Sequence, residues 1–327
     1  MKASDGFGQD AETPWQIPAR GWLQIGKRVL QQMSGDNVQI VSAGVAFYFF
    51  LSLFPAVAAC LSIYGLVYTP GETASQMEQL RTVMPGEAVD LISEFATQLS
   101  IGESRSLSWG VALSILFGVW STNKGTIALF TGLNIAYDQA ENRPFLVRTL
   151  LTLGVTLGSI VVVTLLLVVV AILPAIRAAI ELPPVSDALI NFARWPIIAI
   201  VALLVLGALY KIAPNRRSPS WRWVTPGSVV ATLLWLLGSL GFGWYIESFG
   251  NMSKTYGGVA AIVVLMLWFF ITAFAILLGA EINAESEHQT ARDSTIGPEK
   301  PLGERGAWHA DHVAGTPDED GDRGTIG

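Results

Sequence analysis

Long apolar stretches alternate with short polar connections along the chain. Six stretches contain no Asp, Glu, Lys or Arg, and they cover residues 37–71, 106–123, 149–176, 195–210, 223–246 and 255–280. A helix needs about 20 apolar residues to cross a bilayer core, whereas barrel strands are about ten residues long and alternate in polarity. The pattern therefore excludes an ordinary soluble enzyme and predicts an all-α, polytopic integral membrane protein with six transmembrane helices and short amphipathic interfacial helices.

The boundaries of these helices follow from the apolar runs and from the prolines. We predict membrane helices at about 38–68, 107–139, 147–173, 188–211, 226–246 and 257–285. Pro55 is expected to kink the first helix, and Pro174 to end the third. Gly154 and Gly158 form a GxxxG spacing that permits close helix packing.

Amphipathic patterns occur on both sides of the first membrane helix. Trp22, Ile25, Val29 and Met33 recur every three or four residues, which predicts a helix at about 20–34 lying on the membrane surface. The alternative is a simple linker beside the membrane. Residues 70–106 predict two further short amphipathic helices.

Three segments result. Residues 1–36 form a cytoplasmic N-terminal segment, unstructured up to residue 19, that carries the interfacial helix. Residues 37–285 form the six-helix transmembrane domain. Residues 286–327 are acidic, rich in Gly and almost free of apolar periodicity, which predicts a disordered cytoplasmic tail.

The distribution of basic residues predicts the orientation. Fifteen of the 20 Lys and Arg residues fall in the N-terminal segment, the second and fourth connections and the tail. Since basic residues favour the cytoplasmic side, we predict a cytoplasmic (inner) membrane protein with both termini in the cytoplasm.

Polar residues within the first helix form one candidate site. Tyr48 and Ser52 are one turn apart and close to Pro55. They could line a polar strip beside a kink. Alternatively, their hydroxyls bond carbonyl groups one turn back in the same helix.

Two charged residues occur near the ends of later spans. Lys124 follows the second apolar stretch, and Glu281 lies near the end of the sixth. A lysine buried in a membrane needs a partner, so a Lys124–Glu281 contact is one hypothesis. Snorkelling of Lys124 to the interface is the other.

The densest polar run follows the second span. Asn134, Tyr137 and Glu141 step by three and four residues, which predicts one helix face, and Arg143 follows them. This face could contact lipid headgroups or the fourth connection, which contains Asn215. The alternative is a solvated helix end. Asn251 and Tyr256 gather in the last connection, where the neighbouring glycines favour a turn.

Groups suited to catalysis are scarce. The three histidines follow the last span; His309 and His312 could contact a metal together, but the predicted disorder of the tail argues against it. No Walker loop, HExxH or GxSxG motif occurs. We predict no catalytic residue, no cofactor and no metal, and the absence of a basic patch argues against nucleic-acid binding.

Several separated blocks resemble the YihY/BrkB family of bacterial inner-membrane proteins, whose members were once labelled ribonuclease BN. The blocks are AGVAFYFFLSLFP (43–55), LNIAYDQAENRPF (133–145), YKIAPNRR (210–217), PGSVVATLLW (226–235), SKTYGGVAAIVVLMLWFF (253–270) and LGAEIN (278–283). The resemblance implies six transmembrane helices and a suspected role in transport or envelope lipid handling, with no assigned catalytic residue. The positions that match its blocks include Tyr48, Ser52, Pro55, Asn134, Tyr137, Glu141, Arg143, Pro214, Asn215, Tyr256, Gly257 and Glu281.

The functional prediction is transport or translocation of a lipid or another amphipathic envelope component, with membrane lipids as partners. A membrane scaffold that binds an envelope protein is the alternative. An intramembrane enzyme or nuclease is the third and least favoured reading, because the span interiors lack histidines and carboxylates.

Overall fold

The computed structural model describes residues 6–64, 89, 109–180, 184–248 and 258–314. Its helices are α1 (Ala19–Gly35), α2 (Val38–Tyr64), α3 (Trp109–Ala136), α4 (Phe145–Ile180), α5 (Pro184–Ile212), α6 (Trp221–Ser248), α7 (Gly258–His288) and the short α8 (Trp308–Asp311).

Length and composition mark several of these helices as membrane spans. Within the described residues, four segments are long and apolar enough to cross a membrane: Phe145–Val162, Trp195–Ile212, Trp221–Tyr245 and Ile262–His288. The α1 helix and the first part of α2, bent by 62° at their junction, would make a fifth if they formed one span. The all-α membrane class is therefore confirmed, whereas the count of six spans stays a prediction.

Within the described residues, the long helices follow one another in a row. The α2 helix packs on both α3 and α7, α4 packs on α3, and α5 packs on α6, which packs on α7. These contacts give the order α4, α3, α2, α7, α6, α5, and α3 and α7 also contact each other beside α2. Among the described residues, the consecutive helices α4 and α5 share no extensive contact and stand at the two ends of the row.

A buried core joins the long helices near their polar ends. It contains Val45 of α2, Phe130 and Leu133 of α3, Tyr210 of α5 and Leu277 of α7. Pro55 lies inside α2, as the sequence predicted for the first helix. The α4 helix continues past Pro174 to Ile180, so the predicted end at that proline is wrong.

The predicted surface helix exists, but its apolar line faces protein. Ile25 is 1% exposed and packs in a cluster with Val29 and Trp223, against Leu278 of α7, whereas Leu23 on the opposite side is 68% exposed. The same periodicity suits either a membrane surface or a protein surface, so the sequence pattern could not distinguish these partners.

The acidic tail is the main departure from expectation. We predicted disorder over 286–327, yet residues 286–314 are packed, and Ala307, Ala310 and Val313 are buried. The two terminal segments also contact each other: Ala291 N donates to Gln9 O at 2.8 Å, and Thr290 Oγ1 to Ala11 O at 2.6 Å. These contacts order part of the segment before residue 19, which we also expected to be unstructured.

Hydrogen bonds rather than apolar periodicity order the tail. The Arg305 guanidinium donates to four carbonyl groups, those of Lys300, Arg292, Ala310 and Ala291. The Asp311 carboxylate accepts from the backbone N–H groups of Gly303, Arg305 and Gly306. Pattern analysis misses such local bonding of side chains to the backbone.

Candidate functional site

The charged side chains of the described residues concentrate at one end of the bundle. We call this end the polar cap and define it as residues 6–17, 137–144, 213–220 and 286–314, with the helix ends that adjoin them. It forms where α3, α5 and α7 finish and where α2, α4 and α6 begin.

The first part of the cap joins the two connections that follow α3 and α5. Asn134 is buried at the end of α3; its Nδ2 donates to Glu141 Oε2 at 3.0 Å, and its Oδ1 accepts from Asn215 N at 2.8 Å. Asn215 Nδ2 in turn donates to Ala140 O at 2.8 Å. The predicted contact between this polar run and the fourth connection is therefore present in the structure.

Arg143 completes this network. Its Nε and Nη2 donate to Glu141 Oε1 and Oε2 at 2.7 and 2.5 Å, and Nη2 also donates to Ala213 O at 2.9 Å. The Arg143 hydrogen bonds hold the pKa of the Glu141 carboxyl below its ordinary value, although partial burial opposes this. A carboxylate so fully engaged fixes the two connections to each other.

The local structure behind this network differs from the prediction. The α3 helix ends at Ala136 and Asp138 has a positive φ of 50°, so Glu141 lies in a connection and not on a helix face with Asn134 and Tyr137. The chain folds back and brings Glu141 to Asn134 by a different route. The grouping of Asn134 with Glu141 is present, but Tyr137 lies apart from them and the helical reason for the grouping was wrong.

Tyr137 belongs to a second, deeper part of the cap. Its ring lies 4.3 Å from the Arg216 guanidinium carbon. Arg216 forms a bidentate pair with Glu287 at 2.7 and 3.1 Å, and both side chains are fully buried. Ser294 Oγ donates to Glu287 Oε2 at 2.7 Å, which ties the tail to the pair.

Glu281 and Lys124 do not meet. Glu281 is buried in α7, where its electrostatic neighbours are the acids Asp36, Glu285 and Asp138. Lys124 is exposed on α3 and lies over the ring of Trp120, with Nζ 5.3 Å from the ring centre. The hypothesis of a Lys124–Glu281 contact is therefore wrong, because the two side chains leave their helices in different directions.

The candidate site on α2 is divided between two environments. Ser52 is 6% exposed, and its Oγ accepts a hydrogen bond from Gly125 N of α3 at 3.0 Å. Tyr48 is 43% exposed and packs edge-on against Phe47. Ser52 therefore joins two helices, and the two hydroxyls do not form one polar strip. Asn251 and Tyr256 lie outside the described residues.

Sequence reasoning missed a polar patch between α3 and α4. Thr156 Oγ1 lies 2.7 Å from Thr126 Oγ1, donates to Thr152 O at 2.8 Å and lies 3.1 Å from Asn123 Oδ1. Asn123, Thr152 and Thr156 are buried. The four-residue step from Thr152 to Thr156 was the available signal.

Sequence reasoning named Glu281 but missed the other charged residues at the end of α7. Arg28 Nε donates to Glu285 Oε2 at 2.5 Å, and Arg28 Nη2 donates to Gln289 Oε1 at 2.8 Å. Glu281, Glu285 and His288 step by four and three residues, so their spacing already placed them on one face. The predicted disorder after residue 285 hid this signal.

Comparison with known proteins assigns the chain to a family. A family profile described as Virulence factor BrkB matches residues 29–303. The chain is 34% identical over 266 residues to the putative ribonuclease-like protein YfkH of Bacillus subtilis (strain 168), covering 79% of this chain and 93% of that protein. The chain belongs to the BrkB family, which confirms the resemblance drawn from its sequence blocks.

More distant relatives carry membrane-protein names. A UPF0761 membrane protein of Cronobacter sakazakii (strain ATCC BAA-894) is 27% identical over 81% of this chain and 88% of its own length. The UPF0761 membrane protein Nmul_A0452 of Nitrosospira multiformis is 26% identical, over 78% of this chain and 59% of its own length. No solved structure matches the chain. Apart from the ribonuclease-like name of the Bacillus relative, these names specify no activity.

Proposed function

We propose that the protein translocates a lipid or a similar amphipathic envelope component across the cytoplasmic membrane, with its polar cap in the cytoplasm and without a catalytic step. The polar patch between α3 and α4 is the observation that carries this proposal. Polar groups within a membrane span are costly unless they serve a path or a partner.

The position of the patch suits a path for a polar headgroup. Asn123 precedes Asn134 by 11 residues on α3, which corresponds to about 16 Å at 1.5 Å per residue. The patch thus lies roughly halfway across a bilayer core about 30 Å thick, measured from the polar cap. Arg148 lies in the first turn of α4, where its positive charge can receive an anionic headgroup.

The open row of helices suits the apolar part of such a substrate. Leu150, Leu157 and Val161 of α4 are exposed, as are Ile200 and Leu204 of α5. Since α4 and α5 end the row without extensive mutual contact, acyl chains can stay in the bilayer while the headgroup follows the hydroxyl groups. Such a path needs no closed pore.

Reconstitution into vesicles tests the proposal. Fluorescent phosphatidylglycerol and phosphatidylethanolamine report lipid movement when an impermeant reagent quenches only the outer leaflet. We expect the wild-type protein to accelerate movement of at least one lipid, and Thr156→Val to slow that movement at least fivefold, because valine keeps the shape and removes the hydroxyl.

Thr131→Val is the matched control. Thr131 is exposed on the neighbouring helix α3, and its hydroxyl donates to Ile127 O at 3.0 Å. The proposal fails if the wild type moves neither lipid, or if the two valine variants lose activity equally. A stable protein complex that is insensitive to lipid composition would then favour the scaffold alternative.

A further inference from the structure

A cluster of metal-ligating side chains lies where α7 meets the tail. One carboxylate oxygen of Glu285, one ring nitrogen of His288 and one ring nitrogen of His309 all lie within 4.8 Å of one another. All three side chains are buried, with side-chain exposures of 0%, 0% and 1%. Nothing in the proposed translocation uses them.

Two parts of the fold create this arrangement. Glu285 and His288 are one turn apart on α7, so both project from the same face. His309 comes from α8, and the Arg305 and Asp311 hydrogen bonds hold the backbone around that helix. Ala314 N also donates to His288 O at 2.9 Å, which holds the segment after α8 against the end of α7.

The cluster contains ligand atoms that protein hydrogen bonds leave unused. Neither ring nitrogen of His309 makes a hydrogen bond, and neither does Glu285 Oε1. Arg28 binds the other carboxylate oxygen, Oε2, at 2.5 Å. Buried polar atoms normally have partners, so these atoms point to a missing group.

The spacing suits a small divalent ion. Zinc binds histidine nitrogen and carboxylate oxygen at about 2.0–2.1 Å, so the ligands of a tetrahedral site lie about 3.3 Å apart. Glu285 Oε2 lies 3.5 Å from His288 Nδ1, and Asp138 Oδ2 lies 3.3 Å from His309 Nε2. Asp138, which lies just after the end of α3, is thus placed to supply a fourth ligand.

The surrounding charges also suit a cation. The carboxyl groups of Asp36 and Glu281 face the same region, where they are electrostatic neighbours of Glu285 and Asp138. Arg28 is the opposing positive charge, and its hydrogen bonds orient Glu285 from outside the cluster. Ligating carboxylates commonly have such an outer partner.

We propose that Glu285, His288 and His309 bind a divalent transition metal, with zinc as the best-fitting ion and Asp138 as the fourth protein ligand. The ion joins α7, the tail and the end of α3, so it holds the tail on the bundle. His309 lies beyond residues 29–303, the part that matches the family. The other three proposed ligands, Asp138, Glu285 and His288, lie within the matched residues.

Metal titration of the purified full-length chain in detergent tests this. A chelator first strips any bound metal and is then removed, and Zn²⁺ is added to the metal-free protein. We expect the wild type to retain one Zn²⁺ per chain through gel filtration. Substituting His309→Gln or His288→Gln should weaken Zn²⁺ binding at least tenfold. The matched control is His312→Gln, since His312 directly follows α8 but lies outside the cluster, with Nδ1 2.8 Å from Trp308 O.

A second measurement needs no variant and guards against misfolding. Cu²⁺ added to the metal-free wild type should give an electron paramagnetic resonance spectrum with hyperfine coupling to imidazole nitrogen. Absence of stoichiometric Zn²⁺ binding, absence of that coupling, or equal loss of binding in all three variants would overturn the proposal. The cluster would then be an imidazole–carboxylate contact without an ion.

Discussion

The Arg216–Glu287 pair shows how single residues hold the polar cap. Both side chains are fully buried, the pair is bidentate, and Tyr137 covers the guanidinium. A buried ion pair contributes modest net stability, but the loss of one member leaves an uncompensated charge. The importance of each residue therefore depends on the presence of the other.

We expect Arg216→Gln to lower the free energy of unfolding by about 3–5 kcal/mol, because Glu287 would remain buried without its partner. The double variant Arg216→Met/Glu287→Met should cost clearly less than either single substitution. Thermal unfolding in detergent, followed by tryptophan fluorescence, measures all of these variants. A double variant as unstable as the sum of the two singles would contradict the coupling.

Glu141 provides a test by pH. Hydrogen bonds from Arg143 lower its pKa in the folded protein, so its stabilising contribution is present above the unfolded pKa of about 4.3. That contribution is lost as the pH falls through the lower, folded pKa. We expect the wild type to lose more stability than Glu141→Gln between pH 6 and pH 3. Parallel stability curves for the two proteins over this range would contradict the prediction.

At the scale of residues, the sequence predicted which side chains belong to the polar network better than it predicted which side chains contact each other. Asn134, Glu141, Arg143 and Asn215 do form one network, because polar residues beside a membrane must satisfy one another. The Lys124–Glu281 pair was wrong, since similar depth in the membrane does not specify the direction of a side chain. Glu285 and Glu287 pair with Arg28 and Arg216, which are distant in the sequence. A pattern of local spacing cannot predict such pairs.

At the scale of whole helices, the closest packing does not occur where the glycine motif indicated. A methyl group added at Gly154 or Gly158 would meet nothing within 4 Å. At Gly227 of α6, by contrast, it would collide with the Gly279 carbonyl of α7 and lie 2.6 Å from the Asn283 side chain. A GxxxG spacing permits close packing, but the neighbouring helix decides where that packing occurs.

We expect Gly227→Ala to destabilise the protein by about 1–3 kcal/mol, as overpacking does in other cores. Gly154→Ala should be neutral or slightly stabilising, because alanine favours a helix by roughly 0.5–1 kcal/mol over glycine. Midpoints of thermal unfolding in one detergent compare the two variants. Equal midpoints would show that α6 and α7 can separate without cost, contrary to the structure.

At the scale of the whole molecule, the two described terminal segments lie together at one end of the bundle. Residues 6–17 and 286–314 contact each other directly, as in the bond from Ala291 N to Gln9 O, so we expect the chain between them to cross the membrane an even number of times. The distribution of basic residues leads to the same expectation, which stays a prediction. The sequence could not predict the contact, because the tail has no apolar periodicity to reveal it.

Thiol labelling in intact cells tests the topology. In a Cys60→Ser background, we expect an impermeant maleimide to label Ser253→Cys, in the last connection between predicted spans. Labelling of Glu12→Cys and Glu304→Cys, both at exposed positions, should require lysis, because basic residues favour the cytoplasmic side. Labelling of both terminal positions from outside would reverse the orientation but keep the contact. Labelling of only one would contradict the contact itself, since a membrane cannot separate two segments that share hydrogen bonds.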